Sequence, residues 1–176
     1  RVKASRDFGN MADESSLETF LKDADLDGNN FSTVMKQAQN YASIYGHTML
    51  ILDKPKIQTT TKAEEINQEI RPYLSIVTPE NILDWNFKRQ LNGKYVLDYL
   101  KIREEVDREG GSYIRMWFED RVDTVYVEDG GAEPRLIDTA DNQIGKIPAV
   151  ILYNAKSHKR GIGQSALTDI ADLQKS

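Results

Sequence analysis

Between Trp85 and Val127 the apolar side chains follow a period of two, and turn signals break the pattern at Asn92-Gly93, Gly110-Gly111 and Asp120-Arg121. Successive side chains of a strand point to opposite faces, and Asn-Gly is the strongest short signal for a hairpin. The stretch is therefore expected to be an antiparallel meander. An arm from Asp84 to Leu91 leads into strands over Tyr95 to Val106, Tyr113 to Phe118 and Thr124 to Glu128, with a closing turn at Gly130-Gly131. Such a meander has one face in water and one on a core, so the remainder of the chain must supply the covering layer.

That remainder mixes helix and strand. Phe31, Val34, Met35, Ala38, Tyr41, Ala42 and Tyr45 recur at helical spacing, and Gly46 stands where a glycine ends a helix. His47 to Asp53 is a continuous apolar run of strand length, closed by Lys54-Pro55, and reads as a strand buried on both faces. Residues 56–72 are polar and read as a surface excursion with at most a solvated helix near Lys62 to Ile70. Tyr73 to Val77 is a second strand, and Thr78-Pro79-Glu80-Asn81 opens a short helix expected to reach Leu83 or Asp84. Ala149 to Tyr153 reads as another buried strand, Asn154 to Gly163 as a polar basic loop, and Ser165 as the cap of a helix through Leu167, Ile170 and Ala171. Residues 1–30 are polar, with one short helix around Leu17, Phe20 and Leu21. The fold class is α+β: a mixed sheet with helices on one side plus the antiparallel β-meander. Residue 1 is Arg and the last helical pattern is still running at Ser176, so the chain is expected to be a piece of something longer.

Composition narrows the chemistry. The 176 residues contain no cysteine, which excludes a disulfide framework and thiolate metal sites. Two Trp, eight Tyr and five Phe supply apolar surface that a disordered chain lacks. With 28 acidic against 23 basic residues the net charge is −5, the wrong sign for a dedicated nucleic-acid binder. The longest apolar run, Met49 to Leu52, is too short to span a bilayer, and no membrane partner is expected.

Three clusters invite a chemical reading. Asp23, Asp25, Asp27 and Gly28 match the first half of a calcium-binding loop, but the twelfth position, which should carry a bidentate Glu, is Val34. A metal-dependent or calcium-binding domain built on these three carboxylates is the alternative reading; the residues favour an acidic turn that feeds the Phe31 helix. Gly161, Gly163 and Ser165 lie between a strand and a helix but lack the third glycine of a dinucleotide fingerprint and the Gly-Lys-Ser/Thr of a phosphate loop. His47 and His158 stand alone, His47 as a structural residue, and no catalytic carboxylate pair stands out. No enzyme activity and no cofactor is expected. Lys156, His158, Lys159 and Arg160 form the densest positive cluster: a solvated loop, or a contact for DNA or an acidic partner.

In order, three stretches are similar to the portal protein, or head-to-tail connector, of tailed bacteriophages. The first runs from Phe20 through Asp25, Asp27 and Gly28 and the helix to Tyr45-Gly46 and the strand ending at Asp53-Lys54-Pro55. The second is Arg71-Pro72 through Thr78-Pro79-Glu80-Asn81 to Trp85, ahead of the Asn92-Gly93 hairpin. The third is Lys146-Ile147-Pro148 through Tyr153, followed by Gly161-Ile162-Gly163-Gln164-Ser165 and Leu167. The resemblance covers most of the chain from about Leu17 onward. It implies a non-enzymatic subunit of a homo-oligomeric ring, usually a dodecamer, at one capsid vertex of the virion, assembled in the host cytoplasm. Such rings meet scaffold and major capsid protein, dock terminase and head-completion adaptors, and pass double-stranded DNA. On that reading residues 1–30 are an N-terminal segment, 31–163 a wing-like domain, and 164–176 the start of a stem-like helix. The parts that dock terminase and grip DNA lie mostly outside it.

Overall fold

A computed structural model describes residues 14–55, 70–106, 110–128 and 133–168. Helix α1 covers Glu14–Lys22 and α2 Phe31–Tyr45. Strands β1 (His47–Asp53) and β2 (Tyr73–Val77) are followed by a short 3₁₀ turn at Pro79–Asn81. Then come β3 (Ile82–Arg89), β4 (Tyr95–Val106), β5 (Ser112–Phe118), β6 (Arg121–Val127) and β7 (Arg135–Asp141). The chain closes with β8 (Ala149–Tyr153) and two-residue strands β9 (Ala155–Lys156) and β10 (Gly163–Gln164).

The fold is α+β with an antiparallel meander. β3 to β7 form one five-stranded sheet in sequential order, and β2-β1-β8 form a three-stranded sheet. The expected mixed sheet is antiparallel throughout, because β1 pairs antiparallel with both β2 and β8. Three layers result. Helix α2 turns Val34, Ala38 and Ala42 inward, and the two alanines, fully buried, let it lie close on β1. On the opposite face of β1, Met49 and Ile51 join Val77, Ile82, Leu97, Leu100, Trp117 and Val122 in the core between the sheets. β1 is thus covered on both sides, as its unbroken apolar run requires.

Local chemistry sets the boundaries. Asn30 caps α2, its Oδ1 accepting from Thr33 N at 3.0 Å, and Gly46 ends it at φ +90°. The helix expected to run from Pro79 to Leu83 or Asp84 stops at Asn81, because Ile82 is already paired with Ile102. β6 starts at Arg121 rather than Thr124, and the meander gains a fifth strand, β7, that the period-two reading does not reach. β8 is an edge strand, with Val150 66% exposed, and not the buried strand expected. The Asn154 to Gly163 loop contains the β9–β10 hairpin. The solvated helix near Lys62 to Ile70, save for Ile70 itself, which is buried and not helical, the turn at Gly130-Gly131 and the stem-like helix beyond Thr168 fall outside the described residues.

Candidate functional site

The basic cluster sits on the β9–β10 hairpin, in which Gly163 pairs with Lys156 and Gln164 with Ala155. Ser157 shapes its tip: its Oγ accepts from Lys159 N at 3.1 Å and donates to Lys159 O at 3.2 Å. The glycines are used in packing. A Cβ on Gly161, at φ +84°, would fall 2.2 Å from Trp85 Nε1, and one on Gly163 would fall 1.9 Å from Gly46 O. The Gly163 N–H donates to His47 Nδ1 at 3.3 Å, so it is not spare for a phosphate. Burial holds the His47 pKa below its ordinary value, as a neutral acceptor requires.

The four basic residues divide by contact. The Arg160 guanidinium stacks 3.5 Å from the centre of the Tyr95 ring, with Phe87 at 5.9 Å, and Lys156 Nζ lies 5.6 Å from the Tyr153 ring. His158 and Lys159 are exposed at the tip. The hairpin therefore lays Arg160 on the aromatic end of the first two meander strands and Lys156 on Tyr153 at the end of β8, and turns His158 and Lys159 to solvent.

The acidic turn is an internally bonded loop. Asp25 Oδ1 accepts from the N–H of Asp27 and of Asn29, and its Oδ2 from Asn29 Nδ2 at 2.8 Å. Burial pushes the Asp25 pKa up, but these donors outweigh it, led by the Asn29 side chain, and the net shift is downward. Asp23 Oδ1 accepts from Gly28 N at 2.9 Å, and its other oxygen is held by Arg71. Among the described residues no group of three or more His, Asp or Glu converges as a metal site.

Sequence reasoning missed a charged junction between the sheets. Arg115, on β5, makes ion pairs with Asp53 at the end of β1 and with Glu104 on β4, the latter at 2.9 Å. Burial pulls the Arg115 pKa down, yet Glu104 and Asp53 outweigh it and raise it. Tyr73 beside them is raised, by burial first and then by Asp53. Glu104 is the extra residue of a bulge between Arg103 and Glu105, a feature that no residue pattern announces.

The C-terminal segment is tied to α2. Ser165 Oγ donates to Ile44 O at 2.5 Å, and Ala166 N to Ser43 O at 2.9 Å, so open carbonyls at the helix end are satisfied by the chain after β10. Ser165 Oγ also accepts from Leu167 N at 3.0 Å, and the helix it is expected to cap lies beyond the described residues. No protein-family model matches the chain, and no curated protein matches it. Among the described residues no helix is long and apolar enough to cross a membrane.

Proposed function

We propose that this chain is the wing-like part of a portal-ring subunit, a structural and non-enzymatic protein of the capsid vertex of a tailed phage. The observation that carries the reading is the joint at Ser165. The chain after β10 leaves from the end of α2 through two hydrogen bonds to Ser43 and Ile44, a rigid seat from which a following stem-like helix would move with the α+β body. The type of each element adds support: the stretches read as helix, strand, Asn92-Gly93 hairpin and strand are α2, β1, β3–β4 and β8. Its partners would be identical subunits in a ring, expected as a dodecamer, together with scaffold and major capsid protein. Double-stranded DNA would pass through the ring, and terminase and adaptor would bind mostly elsewhere. A net charge of −5 suits a conduit, since a surface that neutralised many phosphates would bind DNA tightly and brake it.

The test is the full gene product, purified and examined by electron microscopy and native mass spectrometry. Rings with a central channel are the expected result; a stable monomer would overturn the proposal. In such rings the DNA contact would fall to His158 and Lys159, because Arg160 is already stacked on Tyr95.

A further inference from the structure

Among the described residues the outer edge of β8 has no strand partner, and it is flanked by a mostly apolar trough on the meander side and a half-polar one on the α2 side. Its hydrogen-bond phase fixes which groups are spare. Leu52 N–H donates to Pro148 O at 2.9 Å and Asn154 N–H to Gly46 O at 3.0 Å, so residues 148, 150, 152 and 154 turn their backbone groups toward β1. The N–H and C=O groups of Ala149, Ile151 and Tyr153 turn outward, where the described residues offer no strand to pair with them. On the α2 side, Phe31, Met35, Ala42 and Leu152 border an opening of 720 Å³. On the meander side, Phe87, Tyr95, Leu97 and Ile151 border one of 330 Å³.

The other sheet edges are guarded. Ala24 of the acidic turn accepts from Leu74 N at 2.7 Å and covers β2; β3 carries Asp84, Lys88 and Arg89; β7 carries Arg135, Asp138 and Asp141. β8, Ala149-Val150-Ile151-Leu152-Tyr153, has neither charge nor proline. Charge selects the occupant. Each trough holds one lysine, Lys36 or Lys146, and no carboxylate, in a chain with more acidic than basic residues. Lys156 and Arg160 add positive charge beside Tyr153 and Tyr95.

We propose that β8 accepts an extended segment of another protein by strand addition, a segment with apolar side chains at alternate positions and acidic residues at its ends. Its backbone would pair with Ala149, Ile151 and Tyr153; its apolar side chains, all on one face, would enter the meander-side trough and the intervening ones the more polar trough beside α2. The acidic ends would meet Lys36, Lys146 and Lys156. This inference stands apart from the ring proposal and holds or fails without it.

The probe is a fluorescein-labelled peptide of alternating valine and threonine with paired glutamates at both ends, titrated by anisotropy against the full chain. Saturable binding is expected, weakened about tenfold or more by Val150→Glu and by Lys146→Glu. Because Val150 is 66% exposed, its variant should melt with the parent. Amide exchange read by NMR should slow at Ala149, Ile151 and Tyr153 on binding, a change that loose electrostatic capture would not produce. Absence of binding, equal binding of a lysine-ended peptide, or binding without protection of those three amides would each overturn the proposal. So would concentration-dependent self-association abolished by Val150→Glu, which would put a second copy of this chain on the edge.

Discussion

His47 is where one proton decides a close contact. Its Nδ1 must stay bare to accept from Gly163 N–H, and the approach of Gly163 to Gly46 leaves no room for a Cβ on either residue. Burial lowers the folded-state pKa of His47 below the ordinary 6.5. The unfolded chain therefore takes up the proton more readily than the folded one. The contribution to stability is complete above the ordinary value and is lost as pH falls toward the lower folded value. We expect the melting temperature to drop as pH is lowered from about 7 to about 5, and His47→Asn to flatten that slope. Equal slopes for parent and His47→Asn would remove His47 from the account. Gly46→Ala should cost about 2 kcal/mol or more, since it adds a clash at 2.6 Å from Gly163 O to a backbone at φ +90°. Chemical denaturation measures it.

At the scale of elements, the acidic turn joins α1, α2 and β2, and its carboxylates serve the loop itself. Asp25→Ala deletes acceptors for Asp27, Asn29 and the Asn29 amide together, and should destabilise by about 1–2 kcal/mol. The same loss is expected with and without added calcium; a rise of several degrees on calcium addition, abolished by Asp25→Ala, would instead make the turn a cation site. Elements whose pattern is written by burial were legible in the residues: α2, with Val34, Ala38 and Ala42 on one stripe, and β1, covered on both faces. β7 was not, because most of its residues are exposed and Leu136 and Ile137 lie side by side across a bulge opposite Val125, so no alternation forms. Another bulge, where Phe87 pairs with Leu97 and Asn86 with Tyr99, explains why buried Leu97 and Leu100 fall out of step on one strand. Of the basic cluster, sequence spacing gave the composition but not the contacts. Arg160 meets Tyr95 only because β4 starts beside the hairpin, a tertiary fact.

For the whole molecule, the question is whether the two sheets unfold as one unit. Their shared interior is the cluster from Met49 and Ile51 to Leu100 and Trp117, and at its margin Arg115 bridges Asp53 of one sheet and Glu104 of the other. The Arg115, Asp53 and Glu104 side chains are 16%, 13% and 31% exposed, so water screens the group in part and only the lower range of a buried ion pair applies. Arg115→Met removes the cation that Asp53 and Glu104 share and should cost about 3 kcal/mol, while Asp53→Asn added to it should restore part of the loss, because one of two neighbouring like charges is gone. Both variants should unfold in a single transition, coincident by tryptophan fluorescence and circular dichroism, because Trp117 lies in the joint core while the far-ultraviolet signal reports both sheets and α2. Two separated transitions in Arg115→Met would mean that the ion pairs, rather than the apolar interior, couple the layers. The α2 layer and the edge at β8 would then be free to melt apart from the meander.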